Sequence, residues 1–204
     1  MFKKPIIVFE GIESSGKSHH IKKVANFLKK KKINYILLRE PGGNINSEKI
    51  RKLILDKNSK FNKNTDLLLY LSSRSENMSI IKENYQKKII LIDRFIDSTI
   101  AYQHFGMGIN LSLINTINNY LLEGIKIDFT FLNIVSEKNM LQRLRKRKKL
   151  NRYDKFNKDF YKKVQKGFIK ISNKKLKKYL IVDSNSEIKN NEKLIINKVV
   201  KLIS

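Results

Sequence analysis

Gly11-Ile12-Glu13-Ser14-Ser15-Gly16-Lys17-Ser18 is the stretch whose reading decides the fold. It matches G-x-x-x-x-G-K-[ST], directly after the apolar run Ile6-Ile7-Val8-Phe9 and directly before helical periodicity over 17–30. A strand, a glycine-rich turn and a helix N-terminus in that order form a phosphate cradle, because backbone N–H groups and the positive helix end converge on one anion. In such a loop Lys17 reaches the β- and γ-phosphates and the Ser18 hydroxyl holds Mg²⁺, while Gly11, Ile12, Glu13, Ser14, Ser15 and Gly16 form the wall. This implies a nucleoside triphosphate and leaves the reaction open.

Outward from the loop, short apolar runs alternate with longer helical patterns. Tyr35-Ile36-Leu37-Leu38, Ile89-Ile90-Leu91-Ile92, Phe129-Thr130-Phe131-Leu132 and Tyr179-Leu180-Ile181-Val182 repeat the first run, each rich in β-branched or aromatic residues and too short for a helix. Helical patterns fall at about 17–30, 48–55, 65–85, 111–122, 137–147, 159–177 and 192–203. The alternation predicts an α/β fold of the P-loop NTPase type: a five-stranded parallel sheet flanked by helices, in one domain over 1–204. Ligands of such sheets bind beyond the carboxyl ends of the strands.

Composition narrows the chemistry. The 204 residues contain no Cys, which excludes disulfides, thiolate zinc sites and a cysteine nucleophile. No apolar run reaches the ~18 residues of a membrane span, and the run after Met1-Phe2-Lys3-Lys4-Pro5 is too short for a signal peptide, so a cytoplasmic protein without membrane partners is expected. The formal net charge is +26, carried by 36 Lys and only 8 Arg beside 22 Asn and 29 Ile. Lys is spread everywhere, which favours compositional bias over a localised nucleic-acid stripe; no specific nucleic acid is expected. Against that background each Arg marks a place where a planar, bidentate donor is needed. Of the eight, only Arg51 reads as an ordinary solvated residue on a polar helical face.

Asp93-Arg94 ends the third apolar run, followed by Ser98-Thr99 and Ala101-Tyr102-Gln103. At the mouth of the sheet Asp93 would hold magnesium, directly or through water, and Arg94 would face a transferred phosphoryl group; an ion pair capping the strand is the plainer alternative.

With these residues in view, the chain resembles the thymidylate kinases of bacterial type over nearly its whole length. The resemblance rests on the phosphate loop with Glu13, on Arg39-Glu40-Pro41-Gly42-Gly43, on Tyr70 and Arg74, on Asp93 through Gln103, and on an Arg-rich segment ending in Arg152-Tyr153-Asp154. It implies transfer of the ATP γ-phosphoryl group to dTMP in dTTP biosynthesis, with Mg²⁺, by a homodimer. Arg39 is then expected at the acceptor phosphate, Tyr70 stacking on thymine, Arg74 at a base carbonyl, Thr99 and Gln103 in the base pocket, and Tyr102 at the sugar. Lys17, Arg94, Glu13, Asp93 and Arg147 form the expected catalytic set.

A lid is expected at about 143–154. Helical spacing puts Arg143 and Arg147 on one face and leaves Arg145 as the bystander. The resemblance implies Arg147 at the transferred phosphoryl group, with Arg143, expected at ATP, as runner-up. By the same resemblance Ser14 stands where Gly is common, though some relatives carry a larger side chain there, Ile127 where Pro is frequent, Ile134 where an acidic residue is common, and Asp154 where Glu is usual. His19, His20 and His104 need no catalytic role, because the acceptor oxygen is already ionised. The rivals are another nucleoside or nucleotide kinase, and a nucleic-acid binder on a kinase fold.

Overall fold

The computed structural model describes residues 3–148 and 150–204; Met1-Phe2, and Lys149 inside the expected lid, lie outside the described residues. Five strands form one sheet: β1 (Ile6–Gly11), β2 (Tyr35–Arg39), β3 (Ile89–Asp93), β4 (Phe129–Ile134) and β5 (Tyr179–Asp183). They run parallel in the order β2-β3-β1-β4-β5.

Successive strand side chains point to opposite faces, and a parallel sheet is covered on both. One face collects Ile7, Phe9, Leu91 and Phe131 against Val24 and Leu28 of α1 (Lys17–Lys30) and Ile195 and Val199 of α8 (Ile188–Ile203). The other collects Ile6, Val8, Ile90 and Ile92 against Met78 and Ile81 of α3 (Lys63–Asn84). The apolar runs are continuous because neither face meets water.

The register sets the site. Phe9 and Arg39 both lie opposite Asp93, so the phosphate loop, the Glu40–Gly43 turn and the Arg94 turn leave the sheet at one edge. The remaining helices are α2 (Ile45–Leu55), α4 (Ile96–Thr99), α5 (Leu111–Leu122), α6 (Glu137–Arg145) and α7 (Lys158–Asn173). Asn44, Asn62, Asn110 and Asn157 cap α2, α3, α5 and α7 with side-chain oxygens that accept helix N–H groups. Part of the Asn enrichment is therefore structural.

Several boundaries correct the expectation. α6 stops at Arg145, where expected helix reached 147, and α7 stops at Asn173 before a separate 3₁₀ turn over Leu176–Lys178. α8 begins at Ile188, a turn earlier than its pattern suggested. Residues 96–106, which lie in none of the expected helices, fold as α4 running into a π-helix over Ile100–Gly106.

Candidate active site

Gly11 leaves β1 with φ +138°, and a Cβ there would lie 2.2 Å from the Asn133 carbonyl oxygen, so only glycine lets the loop turn against β4. Ser14 holds φ +57°, the left-handed region that glycine adopts freely and a serine adopts at a cost. Gly16 then begins α1, and Lys17 folds back to donate from Nζ to the Ile12 carbonyl at 2.8 Å. Burial, with Arg94 beside it, pulls the Lys17 ammonium down to about 7 against the attraction of Asp93, Glu13 and Glu10. A polyphosphate beside Lys17 would restore its charge.

Ser18 Oγ donates to Asp93 Oδ2 at 2.9 Å, so the two expected metal-holding groups meet across the gap between α1 and β3. Both offer hard oxygen donors, as Mg²⁺ requires. Among the described residues there is no cluster of three or more His, Asp or Glu able to hold a metal.

Arg94, at φ +69°, turns back over the loop. It donates from Nη1 to the Gly11 carbonyl at 2.9 Å and from Nη2 to Glu13 Oε1 at 2.9 Å, with its guanidinium over the Tyr102 ring. The Tyr102 hydroxyl donates to the other Glu13 oxygen. Beneath this turn lies Glu10, which the sequence reading passed over. Its carboxylate accepts from Phe95 N at 2.8 Å and from Ser98 Oγ at 2.5 Å, and burial beside Asp97 pushes it up to about 7. Glu10 thus holds the turn that aims Arg94.

A cavity of about 410 Å³ joins these groups to a second set. Glu13, Lys17, Asp93, Arg94, Arg143 and Arg147 line it together with Arg39, Tyr70, Tyr102 and Gln103. Gln103 Oε1 is buried without a partner. Arg39 is paired bidentately with Glu48, at 2.9 and 2.8 Å. Arg51, read from sequence as plain surface, lines the cavity and donates to the Pro41 carbonyl at 2.5 Å. Burial and the neighbouring Arg39 lower its pKa, the mark of a cation held among cations. Its polar helical face gave no signal, because the turn of Pro41 that covers it comes from another element.

Arg74 and Thr99 depart from expectation. Arg74 is 1% exposed and stands one layer behind the cavity wall. It donates twice to Glu40 Oε2, at 2.8 and 2.7 Å, to Thr99 Oγ1 at 2.9 Å and to Asn118 Oδ1 at 2.6 Å. A buried guanidinium needs such compensation, so its fork is spent mainly on the wall itself. Glu40 does line the cavity, and its Oε1 has no partner.

The Arg-rich segment also differs in detail. Arg143, on α6, donates to the Ser14 carbonyl at 3.2 Å and the Ser184 carbonyl at 2.7 Å, clamping the phosphate loop to the loop after β5. Arg147 lies past the end of α6, so helical spacing does not govern it; it reaches the cavity by pairing with the buried Asp154 at 2.7 Å. Arg145 is exposed, as expected. Arg152 and Tyr153 both donate to the buried Asp66, and Arg152 N donates to Leu55 O at 3.3 Å, anchoring the far end of the segment on α2 and α3.

A phosphate loop, an Asp-Arg pair on the adjoining strand and a basic segment arched over one shared cavity define a P-loop phosphotransferase. A family model described as thymidylate kinase matches residues 9–195. A thymidylate kinase of Thermoanaerobacter sp. (strain X514) is 35% identical over 204 residues, covering 98% of this chain and 100% of that one. One of Thermosipho africanus (strain TCF52B) is 37% identical over 186 residues, covering 90% and 92%. A crystal structure of thymidylate kinase from Ehrlichia chaffeensis superposes with a TM-score of 0.77 at 32% identity, covering 97% of this chain and 98% of the other. The chain belongs to the thymidylate kinase family.

Proposed function

We propose that the protein carries out the reaction of its family, ATP-dependent phosphorylation of dTMP in nucleotide biosynthesis, with ATP over the phosphate loop and dTMP at the Tyr70–Gln103 end. The observation that carries this reading is the single cavity linking Lys17 and Arg94 to Tyr70 and Gln103.

The acceptor is a phosphate monoester, whose second pKa of ~6 leaves it ionised at neutral pH, so no general base is needed. Its oxygen forms a bond to the γ-phosphorus as the bond to the ADP oxygen breaks, and the work left to the protein is alignment and charge neutralisation. Lys17 serves the β- and γ-phosphates, Arg94 the group in flight, Arg147 the same group from above, and Arg39 with Arg51 the acceptor phosphate. Glu13 fixes Arg94 and the Tyr102 hydroxyl, which sets Tyr102 beside the sugar. Ser18 and Asp93 would hold Mg²⁺, which neutralises phosphate charge when bound. Tyr70 supplies a ring face for the base. The unpartnered Gln103 Oε1 is an acceptor suited to the thymine N3–H, with Arg74 and Thr99 supporting that wall from behind.

A homodimer in the cytoplasm completes the reading. Its support is exposed Leu53, Leu68 and Tyr120 on α2, α3 and α5, helices packed side by side. No helix among the described residues is long and apolar enough to cross a membrane.

The test is an ADP-release assay across a panel of monophosphates. dTMP is expected to turn over fastest, dUMP more slowly because it lacks the methyl group, and dCMP, AMP and GMP poorly. Cytosine has no N3–H, and a polar mismatch of that kind costs several kcal/mol of discrimination, ~10³-fold or more. Equal turnover of dCMP and dTMP would contradict the assignment of the base end.

A further inference from the structure

A second cavity, of about 790 Å³, opens at the other edge of the sheet, beside Thr130 at the start of β4 and Tyr179 at the start of β5. The phosphoryl-transfer reading leaves it without a role. Ile100, Leu122, Ile127 and Ile171 give it an apolar floor, and Lys126, Lys174, Lys175 and Lys177 are exposed around it. None of these four lysines forms an ion pair among the described residues. One carboxylate, Asp97, faces the space, and its Oδ2 already accepts from the Tyr179 hydroxyl at 2.7 Å.

Asn118 supplies the second observation. It lines this cavity, is 2% exposed, and leaves Nδ2 without a partner while Oδ1 accepts from Arg74. A buried amide N–H pair left unmatched costs free energy that a ligand acceptor would recover. Size, apolar floor, convergent donors and an excess of cations are the features of a small-molecule site.

We propose that this cavity binds a small amphipathic anion, a planar apolar body carrying a phosphate, sulfonate or carboxylate, and that the bound anion acts on the base end of the first cavity through Asn118 and Arg74. The body fits the isoleucine and leucine floor, the anionic group meets the lysine rim, and an acceptor on the body takes the Asn118 amide. The coupling half rests on the reading of Arg74 as support for the base wall; the binding half does not.

The experiment is calorimetric titration of the whole chain with 1-naphthyl phosphate while saturating ADP and dTMP fill the first cavity. One site per chain is expected, with 1-naphthol and inorganic phosphate each at least ~10-fold weaker, the equivalent of one lost contact of about 1.4 kcal/mol. The double variant Lys175→Glu/Lys177→Glu should weaken binding at least ~10-fold, with Ile171→Glu as the second variant should the first fail to fold. No titratable site, a site lost when ADP and dTMP are present, equal binding of phosphate alone, or unchanged binding in a folded variant would each overturn the site. For the coupling, bound 1-naphthyl phosphate should move KM for dTMP at least threefold and leave KM for ATP unmoved; an unmoved KM for dTMP overturns the coupling alone. The monophosphate panel tests the base end separately, so the two failures are distinguishable.

Discussion

Arg147 Nη1 donates to the buried carboxylate of Asp154, and the guanidinium borders the same cavity as Lys17 and Arg94. Arg147→Ala should lower kcat at least ~10²-fold with KM for dTMP nearly unchanged, as expected for a cation that acts mainly on the transferred group. Lys146→Ala, one residue back, should stay near wild type, and equal kcat in the two variants would remove Arg147 from the mechanism. At this scale the sequence was informative where a residue type was scarce. Scarcity singles out seven of the eight arginines, and six of them line the cavity or clamp its walls; the seventh, Arg145, which helical spacing sets apart from Arg143 and Arg147, is exposed. It was uninformative where a role depends on what another element lays over a side chain. Arg51 under Pro41, Glu40 under Arg74 and Glu10 under the Phe95–Ser98 turn carry no local signal of their burial.

Strands and amphipathic helices announce themselves by period, and all five strands begin where their apolar runs begin. Residues 96–106 did not, because a π-helix has neither the 3.6 nor the 2.0 period, yet this element carries Tyr102 and Gln103 into the cavity. α1 shows how one element serves both site and core. One turn after Lys17, His20 is buried with Nδ1 beside Asn133 Nδ2 at 2.8 Å, and burial, reinforced by His19, brings it down to about 4. A folded-state pKa below the unfolded value of ~6.5 contributes stability that is complete above pH ~6.5 and is lost as pH falls toward 4. Glu10, raised to about 7, works in the opposite direction over much of that window, so the wild-type curve alone conceals both. The comparison that isolates His20 is denaturant unfolding of wild type and His20→Gln at pH 7 and pH 4. The stability of wild type relative to the variant should fall by ~2–3 kcal/mol between those values. A difference independent of pH would mean that His20 titrates in the folded protein as it does in the unfolded chain, and the burial effect would be absent.

The whole molecule places the carboxyl ends of β1, β2 and β3 at one edge, beside a single cavity. The charge of +26 is a property of the surface as a whole; the Lys and Arg side chains that border the cavity are Lys17, Arg39, Arg51, Arg94, Arg143 and Arg147. Two anionic substrates gain from a positive field on approach, while their reaction depends on those few contacts. In the reaction proposed, this arrangement moves a phosphoryl group from ATP directly to dTMP. Phosphorus NMR of a mixture of the protein, ATP, dTMP and Mg²⁺ reads both products at once. Equal amounts of ADP and dTDP, growing together with almost no inorganic phosphate, are predicted; ADP accumulating with inorganic phosphate and without dTDP would contradict the account.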